Sequence, residues 1–203
     1  MHAARADGRG EAQATPSGPR ERGRHQVAVG EIFFGNALSA LDAKSRASLP
    51  ADFRSTLDKR ARRAHEPGQP APDRLIRLVE HPRHPCLQGF DPLHEQTLMA
   101  QLEERVAQMD GVDPIDALDD ELLESFGAAM SISYDPSGRF VLPGPLRKVA
   151  GLELGGTAFF VAAGQTFQIW NPDRFRTAFQ DRPRLINALD CLLEINDERR
   201  GRQ

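Results

Sequence analysis

Apolar and polar positions follow two rhythms along the chain. In RASLP (46–50) and RFVLP (139–143) they alternate, with Ala47 and Leu49 opposed to Arg46 and Ser48, and Phe140 and Leu142 opposed to Arg139 and Val141. That period of two predicts strands. RLIRLVE (74–80) predicts another, paired with the end of HPRHPCLQGF (81–90), and TAFFVAAGQTFQIW (157–170) predicts a hairpin turning at AAGQ. VAVGEIFFGNALSAL (27–41) predicts one strand or two short ones. The other rhythm is helical. Leu98, Leu102, Val106 and Met109 follow Asp91-Pro92; Ile115, Leu118, Leu122 and Phe126 follow Asp113-Pro114. Phe175 and Phe179 follow Asn171-Pro172, and Leu185, Leu189 and Leu192 follow Pro183. An Asp or Asn cap with Pro in the first turn starts a helix. The final DERRGRQ is expected to fray.

One phrase occurs twice. Residues 42–50 read DAKSRASLP and residues 135–143 read DPSGRFVLP; LPADFR (49–54) is answered by LPGPLR (142–147), and Phe90-Asp91-Pro92 by Trp170-Asn171-Pro172. The spacing between copies falls from 93 residues at the phrase to 80 at Phe90/Trp170. The first copy therefore carries about 13 extra residues, most simply an insertion within 59–74. In each copy Asp42 or Asp135 can accept hydrogen bonds from backbone N–H groups two or more residues on, and Ser45 or Gly138 takes the tight position before the Arg. Pro50 and Pro143 suit the first position of a helix of one or two turns. Residues 58–74, DKRARRAHEPGQPAPDR, lose apolar periodicity and predict a basic, Pro-rich loop.

Composition bounds the class. Of 203 residues, 39% are hydrophobic and 27% charged, and no apolar run approaches the roughly 20 residues that cross a bilayer. No membrane partner is expected. Residues 1–26 are polar and rich in Gly, Arg and Ala, predicting a disordered tail rather than a secretory signal. Cys86 and Cys191 are the only cysteines, which suits a reducing, cytoplasmic setting. Net charge is −3, yet residues 42–63 hold seven Lys/Arg against three Asp, while residues 91–124 hold eleven acids against one Arg. One face can then attract phosphates while another repels them.

The chemistry concentrates in the repeated phrase. Arg46 and Arg139 stand at the start of their strands on the face opposite the apolar set, with Lys44 beside the first. Guanidinium groups on rigid turns suit contacts to phosphates and to guanine edges. The same arginines could instead pair with Asp42 and Asp135 and serve only the turns. His81, His84 and Cys86 lack a fourth metal ligand nearby, and no GxSxG elbow accompanies Ser45 or Ser137, so no metal, cofactor, catalytic residue or small-molecule substrate is expected.

The two phrases, with HPCL at 84–87, VAGL at 149–152 and FQIWNPDRF at 167–175, resemble the MraZ family of bacterial transcriptional regulators over about residues 31–180. The resemblance implies an α+β, mainly β fold: two pseudo-symmetric AbrB-like swapped-hairpin half-barrels sharing a core, linked and flanked by helices. It divides the chain into a tail (1–26), repeat one (31–92), an acidic helical linker (93–126), repeat two (127–176) and a C-terminal helix and tail (177–203). It implies a homo-oligomeric ring on the nucleoid that binds direct repeats in double-stranded DNA and represses its own division and cell-wall gene cluster. The family's Asp-x-x-x-Arg motif falls on Asp42 and Arg46 and on Asp135 and Arg139. Lys44 would add a phosphate contact, and Arg54 and Arg147 a secondary or structural one. Ser45 stands where the family usually has Gly. The alternative is an AbrB-like oligomeric scaffold that binds a protein partner through the acidic helices.

Overall fold

The computed structural model describes residues 32–65, 68 and 72–202. The expected tail at 1–26, the first residues of the expected 27–41 strand and part of the Pro-rich loop lie outside the described residues. The order of elements is β1 (Asn36–Ala40), β2 (Arg46–Ser48), α1 (Ala51–Ala64), β3 (Leu75–Glu80), β4 (Leu87–Phe90), α2 (His94–Val106) and α3 (Pro114–Phe126). There follow β5 (Met130–Ser133), β6 (Arg139–Val141), α4 (Gly144–Val149), β7 (Thr157–Ala163), β8 (Thr166–Trp170), α5 (Pro172–Ala178) and α6 (Pro183–Arg200). The fold is α+β, but not mainly β: the helices hold more residues than the strands.

That difference arises in α1 and α6. Pro50 and Pro143 stand one position before their helices, as caps, and α1 continues for 14 residues through DKRARRA instead of one or two turns. Phe53, Leu57 and Arg60 are buried along it. Spacings of four and three residues place them on one face, so the helix continues as far as it has a stripe to bury. The expected loop therefore begins as helix. Likewise α6 runs through the expected frayed end as far as Arg200, whose guanidinium reaches the Thr157 hydroxyl at 3.5 Å.

Six strands form an antiparallel sheet in the order β1-β7-β8-β4-β3-β5, and β2 pairs with β6 in a separate ribbon. This order maps onto itself when β1 exchanges with β5, β3 with β7 and β4 with β8. The first strand of each copy thus pairs with the hairpin of the other: Ala37 faces Phe160 and Met130 faces Leu78. A pseudo-twofold axis passes between Gln88 and Gln168 in the sheet and between Ala47 and Phe140 in the ribbon. Equivalent residues are 93 positions apart at Arg46/Arg139, 82 at Leu78/Phe160 and 80 at Gln88/Gln168. Eleven of the extra residues thus fall between β2 and β3, and two in the β3–β4 turn.

Alternation along the strands divides the core into two layers. Ile76, Leu78, Leu87, Phe160, Phe167 and Ile169 face the main cluster with Phe33, Phe53, Leu57, Phe140 and Leu142. Phe159 and Trp170 face the other way, against Phe175 of α5 and Leu189 of α6. The Phe140 ring meets Phe160 edge-on at 6.5 Å, which seats the ribbon on the sheet. Burying each such ring contributes about 1.5–3 kcal/mol. The ribbon's outer face is left to solvent.

Candidate nucleic-acid interface

Each repeated phrase folds as a turn closed on its own aspartate. Asp42 Oδ1 accepts hydrogen bonds from the backbone N–H groups of Lys44 and Arg46, both at 2.8 Å. Asp135 Oδ1 accepts from those of Ser137 (2.8 Å) and Arg139 (2.9 Å). The backbone closes in parallel, with Asp42 N–H donating to Arg46 O at 3.0 Å and Asp135 N–H to Arg139 O at 2.9 Å. Ser45 N–H donates to Asp42 O, and Gly138 N–H to Asp135 O. These bonds turn the chain left-handed before each Arg: Ser45 has φ 61° and Gly138 φ 85°. Ser45 is the one non-glycine residue with positive φ among the described residues, so the turn survives without glycine at a cost in strain. Hydrogen bonds to the charged carboxylates hold both acids below the ordinary aspartate range. The backbone N–H of Arg46 is the main cause at Asp42, and the Ser137 hydroxyl at Asp135.

The turns differ in what their arginines do. Arg46 Nε donates to Asp42 Oδ2 at 2.6 Å, so one edge of that guanidinium holds the turn. In the second turn the Ser137 hydroxyl donates to Asp135 at 2.7 Å instead. Arg139 is exposed, and its guanidinium makes no hydrogen bond or ion pair with the described residues. The Arg139 charge still lies near enough to Asp135 to help lower its carboxyl, but without a direct bond to it. The β2–β6 register pairs Arg46 with Val141 and Ser48 with Arg139, all four exposed. Between them the buried Ala47 and Phe140 point inward. Two arginines thus stand diagonally across the pseudo-twofold axis on one solvent face, with Lys44 exposed on the loop before Arg46.

Arg54 and Arg147 are oriented inward. Arg54 Nη1 donates to Pro136 O at 3.0 Å, so α1 of the first copy buttresses the turn of the second. Its stem crosses Gly138 so closely that a Cβ there would collide with it. Arg147 Nη1 donates to Leu152 O at 2.8 Å. Both guanidiniums are half-buried against backbone carbonyls.

Reasoning from sequence missed Arg60 and Asp91. Placed by the loop reading in solvent, the Arg60 guanidinium is buried: Nη1 donates to Asp91 Oδ2 at 2.6 Å and to Gln165 O at 3.1 Å, and the group lies 4.8 Å from the centre of the Phe33 ring. Asp91 Oδ1 also accepts from the His94 N–H at 3.0 Å, but α2 begins only at His94 with Leu93 as its cap, so the expected cap Asp91 stands one turn earlier and acts as a buried counter-ion. The signal was the spacing of Phe53, Leu57 and Arg60, which places the arginine on the apolar stripe. Elsewhere, the His81 and His84 rings lie 4.8 Å apart, with His84 also against Trp170 and Phe179. Cys86 is fully buried. Among the described residues no group of three or more His, Cys, Asp or Glu is placed to hold a metal ion. None of the described helices is long and apolar enough to cross a membrane.

The two turns present Arg46, Arg139 and Lys44 on the solvent side of a two-stranded ribbon. No family model matches the chain. Individual relatives do. The chain is 34% identical over 143 residues to the transcriptional regulator MraZ of Gluconobacter oxydans, covering 70% of this chain and 77% of that protein. It is 32% identical over 168 residues to the MraZ of Ruegeria pomeroyi, covering 82% and 90%, and 28% identical over 146 residues to that of Rickettsia akari, covering 71% and 84%. The chain belongs to the MraZ family of transcriptional regulators.

Proposed function

We propose that the chain regulates transcription by binding double-stranded DNA through the outer face of the β2–β6 ribbon. The observation that carries this reading is Arg139, exposed on a turn that closes through its backbone but without its guanidinium. Two strands about 4.8 Å apart fit a major groove about 12 Å wide. Arg46 and Arg139 then make the principal contacts and Lys44 a phosphate contact, while Arg54 holds the backbone of the second turn at Pro136 and Arg147 serves the fold at Leu152. Exchange of strands between the copies supports two AbrB-like half-barrels sharing one core. One ribbon neutralises few phosphates and binds weakly at cellular salt, so a homo-oligomeric ring on direct repeats supplies the avidity. The operator lies upstream of the protein's own division and cell-wall gene cluster, which it represses from the nucleoid. A mobility-shift titration with that upstream DNA at two salt concentrations, against a scrambled duplex, tests the reading. A shift that survives the competitor and weakens with salt supports it; no shift by folded protein refutes it.

A second reading, an oligomeric scaffold binding a protein partner, is favoured by one feature. Helix α3 buries none of its 13 residues, and Ile115 and Leu123 are 73% and 72% exposed. This reading predicts salt-insensitive capture of a partner, abolished by Ile115→Asp/Leu123→Asp, with no DNA retarded.

A further inference from the structure

The ribbon face that carries the two arginines also carries an exposed apolar group. Val141 is 56% exposed, lies directly opposite Arg46 in the β2–β6 register and shares its face with Ser48 and Arg139. Directly opposed Cβ atoms lie about 4.5–5.5 Å apart, so the isopropyl group stands beside the Arg46 stem. The pseudo-twofold axis that relates Arg46 to Arg139 relates Ser48 to Val141. At this position the symmetry of the face is broken: one arm offers a hydroxyl, the other two methyl groups.

Resting on the proposed binding of DNA by this face, we propose that Val141 determines base specificity by packing against the C5-methyl group of a thymine. The floor of the major groove presents hydrogen-bonding edges at every base pair but an apolar projection only at thymine. A side chain without donor or acceptor, held between two arginines, finds no partner on a phosphate and leaves polar edges unpaired over guanine, adenine or cytosine. Over a methyl it buries apolar area at no polar cost. Val141 stands at the second residue after Arg139 on the same face, about 6.8 Å along the strand at 3.4 Å per residue. That reach, about two base-pair rises of 3.4 Å, carries it to a different base pair from the one the arginine meets. Ser48 makes no such demand on its side of the axis, so the two halves of the ribbon select different bases.

The test uses full-length protein and a duplex recovered by selection from a randomised pool. Each thymidine of that duplex is replaced in turn by deoxyuridine, which keeps every hydrogen-bonding edge and removes only the methyl. Wild-type protein is expected to lose about fourfold in affinity at one or a few thymidines, the effect of one methyl's burial. In Val141→Ser, which installs the residue already accommodated at the equivalent position 48, affinity for the thymidine and deoxyuridine duplexes becomes equal. In the exchange variant Ser48→Val/Val141→Ser, the sensitive position moves across the axis. Indifference of the wild type to deoxyuridine at every position, with binding otherwise intact, overturns the assignment of Val141 and leaves the DNA reading standing. Sensitivity that persists unchanged in Val141→Ser also overturns it. Recovery of no duplex over a scrambled competitor overturns both.

Discussion

Breaking the Arg60–Asp91 pair is expected to damage the fold more than any substitution on the exposed ribbon. Both side chains are almost wholly enclosed, at 9% and 7% exposure, and their contact is 2.6 Å. Arg60→Met leaves the Asp91 carboxylate buried with, among the described residues, the His94 N–H to satisfy it, and removes the bond to Gln165 O and the contact with Phe33. Removing one partner of a buried pair costs about 3–5 kcal/mol. In a domain of this size each kcal/mol lowers Tm by about 2–4 °C, so a fall of about 6–20 °C is expected. Asp91→Leu costs a similar amount for the mirror reason, a buried guanidinium that has lost its 2.6 Å contact with Asp91. The double variant Arg60→Met/Asp91→Leu removes both members of the pair and loses the bonds to Gln165 O and from the His94 N–H, about 2–3 kcal/mol together. Denaturant unfolding of the four proteins closes the cycle. A single substitution that costs less than about 1 kcal/mol, or a double variant as unstable as the two singles added, refutes the view that these charges matter as a buried pair.

Gly138→Ala is expected to destabilise by at least about 1–2 kcal/mol, because φ is 85° and the new methyl would collide with Arg54. Ser45→Gly, relieving a positive φ, is expected to stabilise by up to about 1 kcal/mol; urea midpoints decide both. Thiol titration of native protein should find Cys191 reactive and Cys86 silent until unfolding, since burial pushes the Cys86 thiol up to about 12. Burial, the largest cause in each case, lowers the affinity of His81 and His94 for protons below the ordinary 6.5, so the unfolded chain binds more protons near pH 6. Stability is then complete above about pH 6.5 and declines as pH falls through the lower folded values, and the urea midpoint should drop between about pH 7.5 and 5.5. A midpoint that rises on acidification contradicts this.

The turns were legible because their causes are local. An Asp four positions before an Arg, with Ser45 or Gly138 between, specifies hydrogen bonds that the chain completes within five residues. Helices starting at Asp113-Pro114 and Asn171-Pro172 were legible for the same reason, since cap and first turn are adjacent. The exchange of strands was not readable from periodicity. Alternation assigns Leu78 and Phe160 to a buried face but says nothing of whether β1 lies beside β3 or β7, because that choice is made between residues more than 100 positions apart. Arg60 was misread because a charge on an apolar stripe is buried only when a counter-ion arrives from elsewhere, and Asp91 comes from 31 residues downstream. Nor could the sequence distinguish Arg46 from Arg139. Their difference lies in a serine hydroxyl that takes the place of a guanidinium at Asp135.

That difference supplies the most direct test of the account. Arg139→Ala removes a side chain that makes no hydrogen bond or ion pair with the described residues, so its urea midpoint should match the wild type within about 0.5 kcal/mol. Its affinity for the upstream DNA should nevertheless fall at least tenfold, with a shallower dependence on salt as the phosphate or base contact is lost. Affinity and salt slope unchanged in a folded Arg139→Ala protein would contradict the assignment of this ribbon as the DNA-binding face.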